Sequence, residues 1–259
     1  MAGKLRKRFG QHLLVNPNTI TSIVKVINPK DGDRLVEIGP GRGAITIPIL
    51  KHAKKIDAVE IDRDIAKEVA AQCKGIGELT IHQGDVLNFD FNQLASTEKP
   101  IRLFGNLPYN ISTPLLFHLL NFSNVIIDMH FMLQKEVVDR ITAKTDASNY
   151  SRLSIMLQCR YKVESLFDIS PNDFTPPPKI NSSFMRLLPD NGYFKQIKDH
   201  SVFNKLVETA FQQRRKTIKN SLSTLVTEEQ LMKANILLTQ RPQEISIPQF
   251  IELSNQLSQ

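Results

Sequence analysis

The segment of the sequence best suited to chemistry is Gly-Asn-Leu-Pro-Tyr at residues 105–109. It follows a short apolar stretch at residues 101–104 that we interpret as a buried strand. Open α/β sheets bind their ligands at the carboxyl ends of strands. There, the Asn106 amide oxygen can accept a hydrogen bond from an amino group, Pro108 removes a backbone donor, and Tyr109 offers a ring for stacking. The segment favours a site that holds a flat, amino-bearing ring, although an ordinary turn has a similar composition.

A second pattern, Glu-Ile-Gly-Pro-Gly-Arg-Gly at residues 37–43, lies between a predicted strand and a predicted helix. Gly39 and Gly41 let the backbone pass close to a ligand, and the helix start offers free N–H groups to an anion. The glycine spacing differs from the Gly-x-Gly-x-x-Gly of nicotinamide-binding proteins.

Two acidic residues follow at the next strand ends. Glu60 can accept hydrogen bonds from two ribose hydroxyls, and Asp85 is placed to contact an adenine amino group. Alone, each could be a helix cap or a turn residue. Together they predict a nucleoside site with a short anionic tail, as in S-adenosylmethionine (SAM).

The basic character of the chain predicts a polyanionic partner. The 259 residues carry a formal net charge of +7, and the isoelectric point is about 9.4. Much of the positive charge is concentrated in two segments: Lys4, Arg6, Lys7 and Arg8, and Arg214, Arg215, Lys216 and Lys219. We predict that the second cluster lies on a helix late in the chain. Either cluster alone could simply be a solvated surface. Both in one chain favour contacts with the phosphates of RNA or DNA.

Composition argues against several classes of protein. Hydrophobic residues make up 41% of the chain, enough for a core, yet no stretch approaches the ~20 apolar residues of a membrane span. The basic N-terminus lacks the apolar region of a secretory signal. Cys73 and Cys159 have no ligand-like neighbours, and the histidines show no metal-ligand spacing. We therefore expect no metal, no disulfide framework and a reducing, cytoplasmic location.

Alternating strand and helix patterns predict an α/β fold. The expected strands lie at residues 34–38, 56–61, 79–82, 101–104, 125–133, 161–168 and 182–188. Helices of matching length between them imply a mostly parallel, Rossmann-like sheet covered on both faces. Pro-Asp-Asn-Gly at residues 189–192 marks a boundary after which strand signals stop. We predict a first domain at 1–188 and an all-helical C-terminal domain at 189–259.

Taken together, the motifs resemble those of the rRNA adenine N6,N6-dimethyltransferases, in particular the bacterial small-subunit (16S) enzymes. The resemblance covers nearly the whole chain and is carried by residues 9–14, 37–41, 60–62, 84–85, 106–112, 174–179 and 213–217. It implies a SAM-dependent methyltransferase domain followed by a helical domain that grips rRNA. It also implies a product, dimethyladenosine, at two adjacent residues of a hairpin near the 3′ end of small-subunit rRNA.

The resemblance also implies roles for individual residues. Cofactor contacts would fall at His12, Leu14, Gly39, Glu60, Asp85 and Asn106, with Gly41 in the glycine loop. Position 12 is often Asn in bacterial members, so the His at this position is a departure from their pattern. The catalytic set would be Asn106, Leu107, Pro108, Tyr109 and Phe174, with the target adenine stacked between Tyr109 and Phe174. The RNA-binding set would be Arg6, Lys7, Arg8, Arg214, Arg215 and Lys216.

These roles define a hypothesis for the reaction. An adenine amino group is a poor nucleophile because its lone pair is delocalised into the ring. Hydrogen bonds accepted by Asn106 Oδ1 and the Leu107 carbonyl would turn that lone pair towards the sulfonium methyl group. Such positioning can contribute up to ~7–11 kcal/mol. The expected partner is small-subunit rRNA or an assembling pre-30S particle, and we expect a monomer.

Three alternatives stay open on the sequence. A large-subunit rRNA dimethyltransferase of the erythromycin-resistance type would share the Asn-Leu-Pro-Tyr motif and the glycine loop. A ribosome-assembly factor could use the same fold chiefly for binding. A nicotinamide dehydrogenase is disfavoured by the glycine spacing.

Overall fold

The computed structural model describes residues 12–95 and 98–258. Its strands are β1 (Leu13–Leu14), β2 (Leu35–Ile38), β3 (Lys55–Glu60), β4 (Glu78–Gln83), β5 (Ile101–Asn106), β6 (Ile126–Gln134), β7 (Tyr161–Ile169), β8 (Phe174–Thr175) and β9 (Ser182–Pro189). Its α-helices are α1 (Pro17–Ile27), α2 (Thr46–Ala53), α3 (Arg63–Cys73), α4 (Ser112–Leu119), α5 (Lys135–Ile141), α6 (Arg152–Gln158), α7 (His200–Gln212), α8 (Ile218–Ser221), α9 (Glu228–Lys233) and α10 (Ile247–Leu257). Within the described residues, six short 3₁₀ turns join these elements: Val86–Asn88, Phe91–Leu94, Leu120–Phe122, Pro171–Asp173, Phe194–Gln196 and Pro242–Glu244.

Seven strands form one sheet in the order β4-β3-β2-β5-β6-β9-β7. The pairs β4–β3, β3–β2, β2–β5 and β5–β6 are parallel, and β9 runs antiparallel to β6. All four residues of β2 are buried, as expected for a central strand covered on both faces. The predicted mostly parallel α/β sheet is confirmed. Its parallel strands bring the carboxyl ends of β2, β3, β4 and β5 to one edge.

The predicted strands and helices are confirmed to within a few residues, with two informative differences. Strand β5 continues through Asn106, so the polar amide is the last residue of the strand rather than part of the turn beyond it. The second difference is a two-stranded ribbon that the sequence pattern did not predict. In it, Leu13 pairs with Thr175 and Leu14 with Phe174. Strands of two residues are too short to leave a periodic signal.

The start of helix α1 anchors this ribbon. Asn16 caps the helix by accepting a hydrogen bond from the Asn18 amide at 2.9 Å, and Pro17 occupies the first helical position. The Asn16 amide also donates to Asp173 at 2.7 Å, and the Thr19 hydroxyl donates to the same carboxylate at 2.8 Å. The N-terminal segment from His12 on is therefore tied to the chain before β8.

The chain divides into two compact units. One runs up to Val138 and includes Glu164–Leu188, and the other comprises Asp139–Val163 and the residues from Pro189 on. After Pro189 the described residues contain helices and turns but no strand, which agrees with the predicted helical C-terminal part. The sequence-based division at residues 188 and 189 differs in one respect. It assigned residues 139–163 to the first domain, whereas their contacts group them with the C-terminal unit.

Candidate active site

A cavity of about 340 Å³ opens at the carboxyl edge of the parallel strands. Its wall contains all the predicted cofactor residues and, of the predicted substrate residues, all but Phe174: His12, Leu14, Gly39, Gly41, Glu60, Asp85, Asn106, Leu107, Pro108 and Tyr109. These residues come from β1 and from the ends of β2, β3, β4 and β5. The fold therefore brings together side chains that are distant in sequence, because parallel strands end at a common edge.

The glycine loop after β2 has a conformation that side chains rarely adopt. Gly39 and Gly41 have φ values of +67° and +53°, in the left-handed region. A Cβ placed on either glycine would have no atom within 4 Å, so each faces open space along the cavity wall. The Gly39 amide donates to the Val59 carbonyl at 3.0 Å, which fixes the loop against β3. The loop therefore leaves room for a ligand close to the backbone.

Glu60 and Asp85 stand at the next two strand ends. Glu60 is 5% exposed and accepts a hydrogen bond from the Asp62 amide at 2.8 Å. Burial raises the pKa of Glu60, and the backbone amides of Asp62 and Ile61 partly offset that rise. Asp85 accepts from the Leu87 amide at 2.9 Å, so it caps a short turn and also lines the cavity. The position of each carboxylate is fixed by backbone amides.

Glu37 is a buried acid in the cavity wall to which the sequence analysis gave no role. It is 2% exposed, and its Oε2 atom has no hydrogen-bond partner among the described residues. Burial raises the pKa of Glu37 to about 8, and the charge of Glu60 adds to the rise. The nearby Thr46 hydroxyl opposes this rise in the pKa of Glu37, although it makes no well-formed hydrogen bond with the carboxyl. An acid at the end of an otherwise apolar strand was the signal that could have identified it.

These features fit SAM. The positive-φ glycines leave room against the backbone, and Glu60 can accept bonds from ribose hydroxyls. The unpartnered Glu37 oxygen is suited to a cationic group, such as the ammonium of the methionine moiety. Among the described residues no group of three or more His, Cys, Asp or Glu is placed to hold a metal ion.

Asn106 presents its amide in a defined orientation. Its Nδ2 atom donates to the backbone carbonyl of His12 at 3.3 Å, which leaves Oδ1 as the acceptor end of the amide. The Leu107 amide donates to the Met132 carbonyl at 3.1 Å and holds the segment against β6. A Cβ at Gly105 would meet the Ile38 carbonyl oxygen at 2.4 Å, so only glycine fits there. The motif is therefore held rigidly at the strand end.

Tyr109 and His12 form a stacked pair at the cavity wall. Their ring centroids lie 6.0 Å apart with an interplanar angle of 29°. The Tyr109 hydroxyl shares a hydrogen bond with the Ser182 hydroxyl at 2.9 Å, and His12 Nδ1 donates to the Pro176 carbonyl at 2.7 Å. His12 thus supplies an aromatic ring beside Tyr109. Both rings are oriented by hydrogen bonds.

Phe174 differs from its predicted placement. Its side chain is 3% exposed and belongs to an apolar cluster that includes Leu14, Met132 and Phe184. The antiparallel pairing of β8 with β1 directs Phe174 into this core, and it does not line the cavity. The structure therefore contains no ready-made slot for a base between Tyr109 and Phe174. Tyr109 is the partner that already borders the cavity.

The predicted RNA-binding residues have mixed placements. Arg6, Lys7 and Arg8 lie outside the described residues. Arg214, Arg215 and Lys216 are exposed, but they occupy the turn between α7 and α8 rather than a helix, because α7 ends at Gln212. Arg214 donates to the carbonyls of Ser148 and Tyr150, both at 2.9 Å. Arg214 therefore also has a structural role within its unit.

The chain matches proteins that act on ribosomal RNA. A family model described as ribosomal RNA adenine dimethylase matches residues 2–259. A Pseudomonas fluorescens protein named ribosomal RNA small subunit methyltransferase A is 44% identical over 256 residues, which cover 99% of this chain and 94% of that protein. The protein of the same name from Saccharophagus degradans is 48% identical over 254 residues, covering 98% and 95% of the two chains.

Solved structures match as well. A dimethyladenosine transferase from Plasmodium falciparum superposes with a TM-score of 0.81 at 26% identity, covering 95% of this chain and 98% of the other. The 23S rRNA methyltransferase ErmE gives a TM-score of 0.70 at 21% identity, covering 95% and 100%, and shows a shared fold. In the part of the chain that the structure describes, no helix is long and apolar enough to cross a membrane.

Proposed function

Because the chain belongs to the ribosomal RNA adenine dimethylase family, we propose that it dimethylates N6 of two adjacent adenosines in small-subunit (16S) rRNA. The target is a hairpin near the 3′ end, and the reaction takes place during small-subunit biogenesis. The chain is an enzyme, a SAM-dependent rRNA adenine dimethyltransferase. The observation that carries the proposed mechanism is the orientation of the Asn106 amide. It borders the same cavity as the glycine loop, Glu37 and Glu60, the features that suit SAM.

SAM supplies a sulfonium-bound methyl group that can be displaced in line by a nucleophile. Glu60 and Asp85 would hold the nucleoside part of the cofactor, Glu37 would bind its ammonium group, and the loop at Gly39 and Gly41 leaves room for it. His12 and Leu14 border the same cavity from β1. Each of these residues binds or orients the cofactor. None of them needs to exchange a proton with the substrate.

Asn106 and Leu107 act on the substrate amino group. With its Nδ2 engaged by the His12 carbonyl, Asn106 directs Oδ1 to one N6–H bond, and the Leu107 carbonyl accepts the other. This arrangement turns the nitrogen lone pair towards the methyl group. Each transfer replaces one N6 hydrogen, which leaves as a proton to water, and after the first transfer the one remaining N–H bond can still be accepted by Asn106 Oδ1 or the Leu107 carbonyl. Positioning of this kind contributes up to ~7–11 kcal/mol.

Tyr109 receives the face of the target base after the base has left its stack. Base–aromatic stacking contributes ~1–3 kcal/mol per base, which offsets part of the cost of extruding the adenosine. The Phe174 ring has to move from the core to sandwich the base from the other side. Pro108 keeps the turn between these residues rigid.

The partner is ribosomal RNA, bound through exposed cations of the C-terminal unit. We assign this contact to Arg214, Arg215 and Lys216, and a second one to Arg6, Lys7 and Arg8. We further propose that the physiological substrate is an assembling pre-30S particle, that the protein acts in the cytoplasm, and that it acts as a monomer.

The proposal is tested with Asn106→Ala and under-methylated small subunits. We expect kcat at saturating SAM to fall by about 100-fold or more, because the amino group loses its orienting acceptor. Tritiated SAM measures transfer, and calorimetry measures cofactor binding. The matched control is Asn121→Ala, which removes an exposed amide from the same unit. Near-normal turnover of Asn106→Ala would refute the mechanism.

Primer extension on both ribosomal RNAs tests the substrate. We expect the reverse transcriptase to stop at two adjacent adenosines near the 3′ end of small-subunit rRNA. Stops confined to large-subunit rRNA would instead support an enzyme of the erythromycin-resistance type.

A further inference from the structure

The C-terminal unit contains a column of three stacked side chains, Arg160, Phe194 and His200. The guanidinium carbon of Arg160 lies 3.1 Å from the centroid of the Phe194 ring, well within cation–π distance. On the other side, the ring centroids of Phe194 and His200 are 3.9 Å apart with an interplanar angle of 12°. The two rings of the column are therefore nearly parallel.

Backbone contacts hold the column in place. The Asp190 amide donates to the Arg160 carbonyl at 2.8 Å. This hydrogen bond links the segment that carries Arg160 to the segment that precedes Phe194. The Asn255 side chain donates to the Gln196 carbonyl at 2.8 Å and accepts from the Lys198 amide at 2.9 Å, which fastens the segment between Phe194 and His200 to helix α10. Ile197, 7% exposed, anchors the same segment in the core. The rings are positioned before any partner arrives, which lowers the entropic cost of binding.

The outer end of the column is open. His200 is an exposed residue, and Phe194 covers one face of its ring. Desolvation and the nearby charge of Arg160 lower the pKa of His200, so the ring is neutral at pH 7. Lys195 and Lys198 are exposed on the same short segment, and neither ammonium has an acidic partner within residues 12–95 and 98–258.

We propose that His200 is a stacking platform for an unpaired base of the bound RNA, with Lys195 and Lys198 contacting the flanking phosphates. Neutral aromatic faces accept any base, and nearby cations follow the backbone, which is how single-stranded nucleic acid is generally held. The column would seat an unpaired nucleotide of the substrate rather than the reacting adenosine, whose cavity belongs to the other unit. This proposal rests on the proposed function only in taking RNA as the partner.

The experiment measures binding of a single-stranded RNA that contains 2-aminopurine, whose fluorescence is quenched on stacking. With the full-length wild-type protein, we expect quenching, and less of it when the probe base is paired in a duplex. His200→Ala should lose the quenching and weaken binding about fivefold or more, the lower end of base–aromatic stacking. Phe194→Leu, which keeps an apolar residue beneath His200 but removes the middle ring, should give a smaller loss.

His52→Ala is the matched control, since His52 is exposed on α2 and makes no ring stack among the described residues. The proposal would be overturned if the wild type and His200→Ala, both folded by circular dichroism, showed equal quenching and equal affinity for the RNA. The column would then have only a structural role within its unit. Methyl transfer is assayed on the same preparations. Absence of methyl transfer by the wild-type protein would count against the proposed function alone. Unchanged RNA binding by His200→Ala would count against the stacking platform alone.

Discussion

Replacing Glu37 by Gln is expected to remove a pH dependence from the stability of the protein. The pKa of Glu37 is about 8 in the folded state because the carboxyl is buried, against 4.5 for an exposed group. Below pH 4.5 both states hold the proton and the group has no effect. Between pH 4.5 and 8 only the unfolded state releases it, so stability falls as the pH rises, and above pH 8 the loss levels off.

The size of the effect follows from that window. Each pKa unit corresponds to about 1.4 kcal/mol, so at pH 7 the carboxyl costs the folded state about 3 kcal/mol relative to pH 4.5. Glutamine cannot ionise and carries no such penalty. Hydrogen bonds gained or lost by the glutamine amide contribute about 1–3 kcal/mol, and this contribution is the same at every pH. The slope with pH, rather than the absolute stability, is therefore the diagnostic quantity.

The assay is urea unfolding of the cofactor-free protein between pH 5 and 8. We expect the unfolding free energy of Glu37→Gln minus that of the wild type to become steadily more positive as the pH rises. Glu98→Gln, which changes an exposed carboxylate, should follow the wild type at every pH. Parallel curves for wild type and Glu37→Gln would show that burial does not hold the Glu37 proton and would refute the argument.

Two further predictions concern the sheet. Arg102 is the buried partner of Asp128 at 2.8 Å and of Asp33 at 2.6 Å. Arg102→Met leaves both carboxylates without this partner and should lower the free energy of unfolding in urea by about 3–5 kcal/mol. The control Lys55→Met breaks an exposed ion pair with Glu78 and should change the urea midpoint little. Burial lowers the pKa of His130 to about 4 from 6.5, so the wild type should lose stability relative to His130→Leu as the pH falls from 6.5 towards 4, by about 1.4 kcal/mol per unit. His130→Leu should lack that acid slope, and an unchanged slope would contradict a neutral, buried His130.

The sequence by itself determined the elements and the polar residues at their ends. Asn16 followed by Pro17 marks the start of α1, and the capping box that begins at Thr227 marks the start of α9, because helix caps depend only on residues close together in the sequence. Alternating strands and helices predicted a parallel sheet, and a parallel sheet brings its carboxyl ends to one edge. For that reason Glu60, Asp85 and Asn106 could be assigned to one cavity without any knowledge of distances.

Only the tertiary structure decided how those residues are presented. The His12 carbonyl that orients the Asn106 amide lies 94 positions away in the chain, and the ribbon that buries Phe174 joins segments still further apart. The pairing of Arg214 with backbone carbonyls and the raised pKa of Glu37 have the same origin. Periodicity and capping are written in neighbouring residues, whereas desolvation and side-chain orientation depend on contacts between distant ones, and these exist only once the chain has folded.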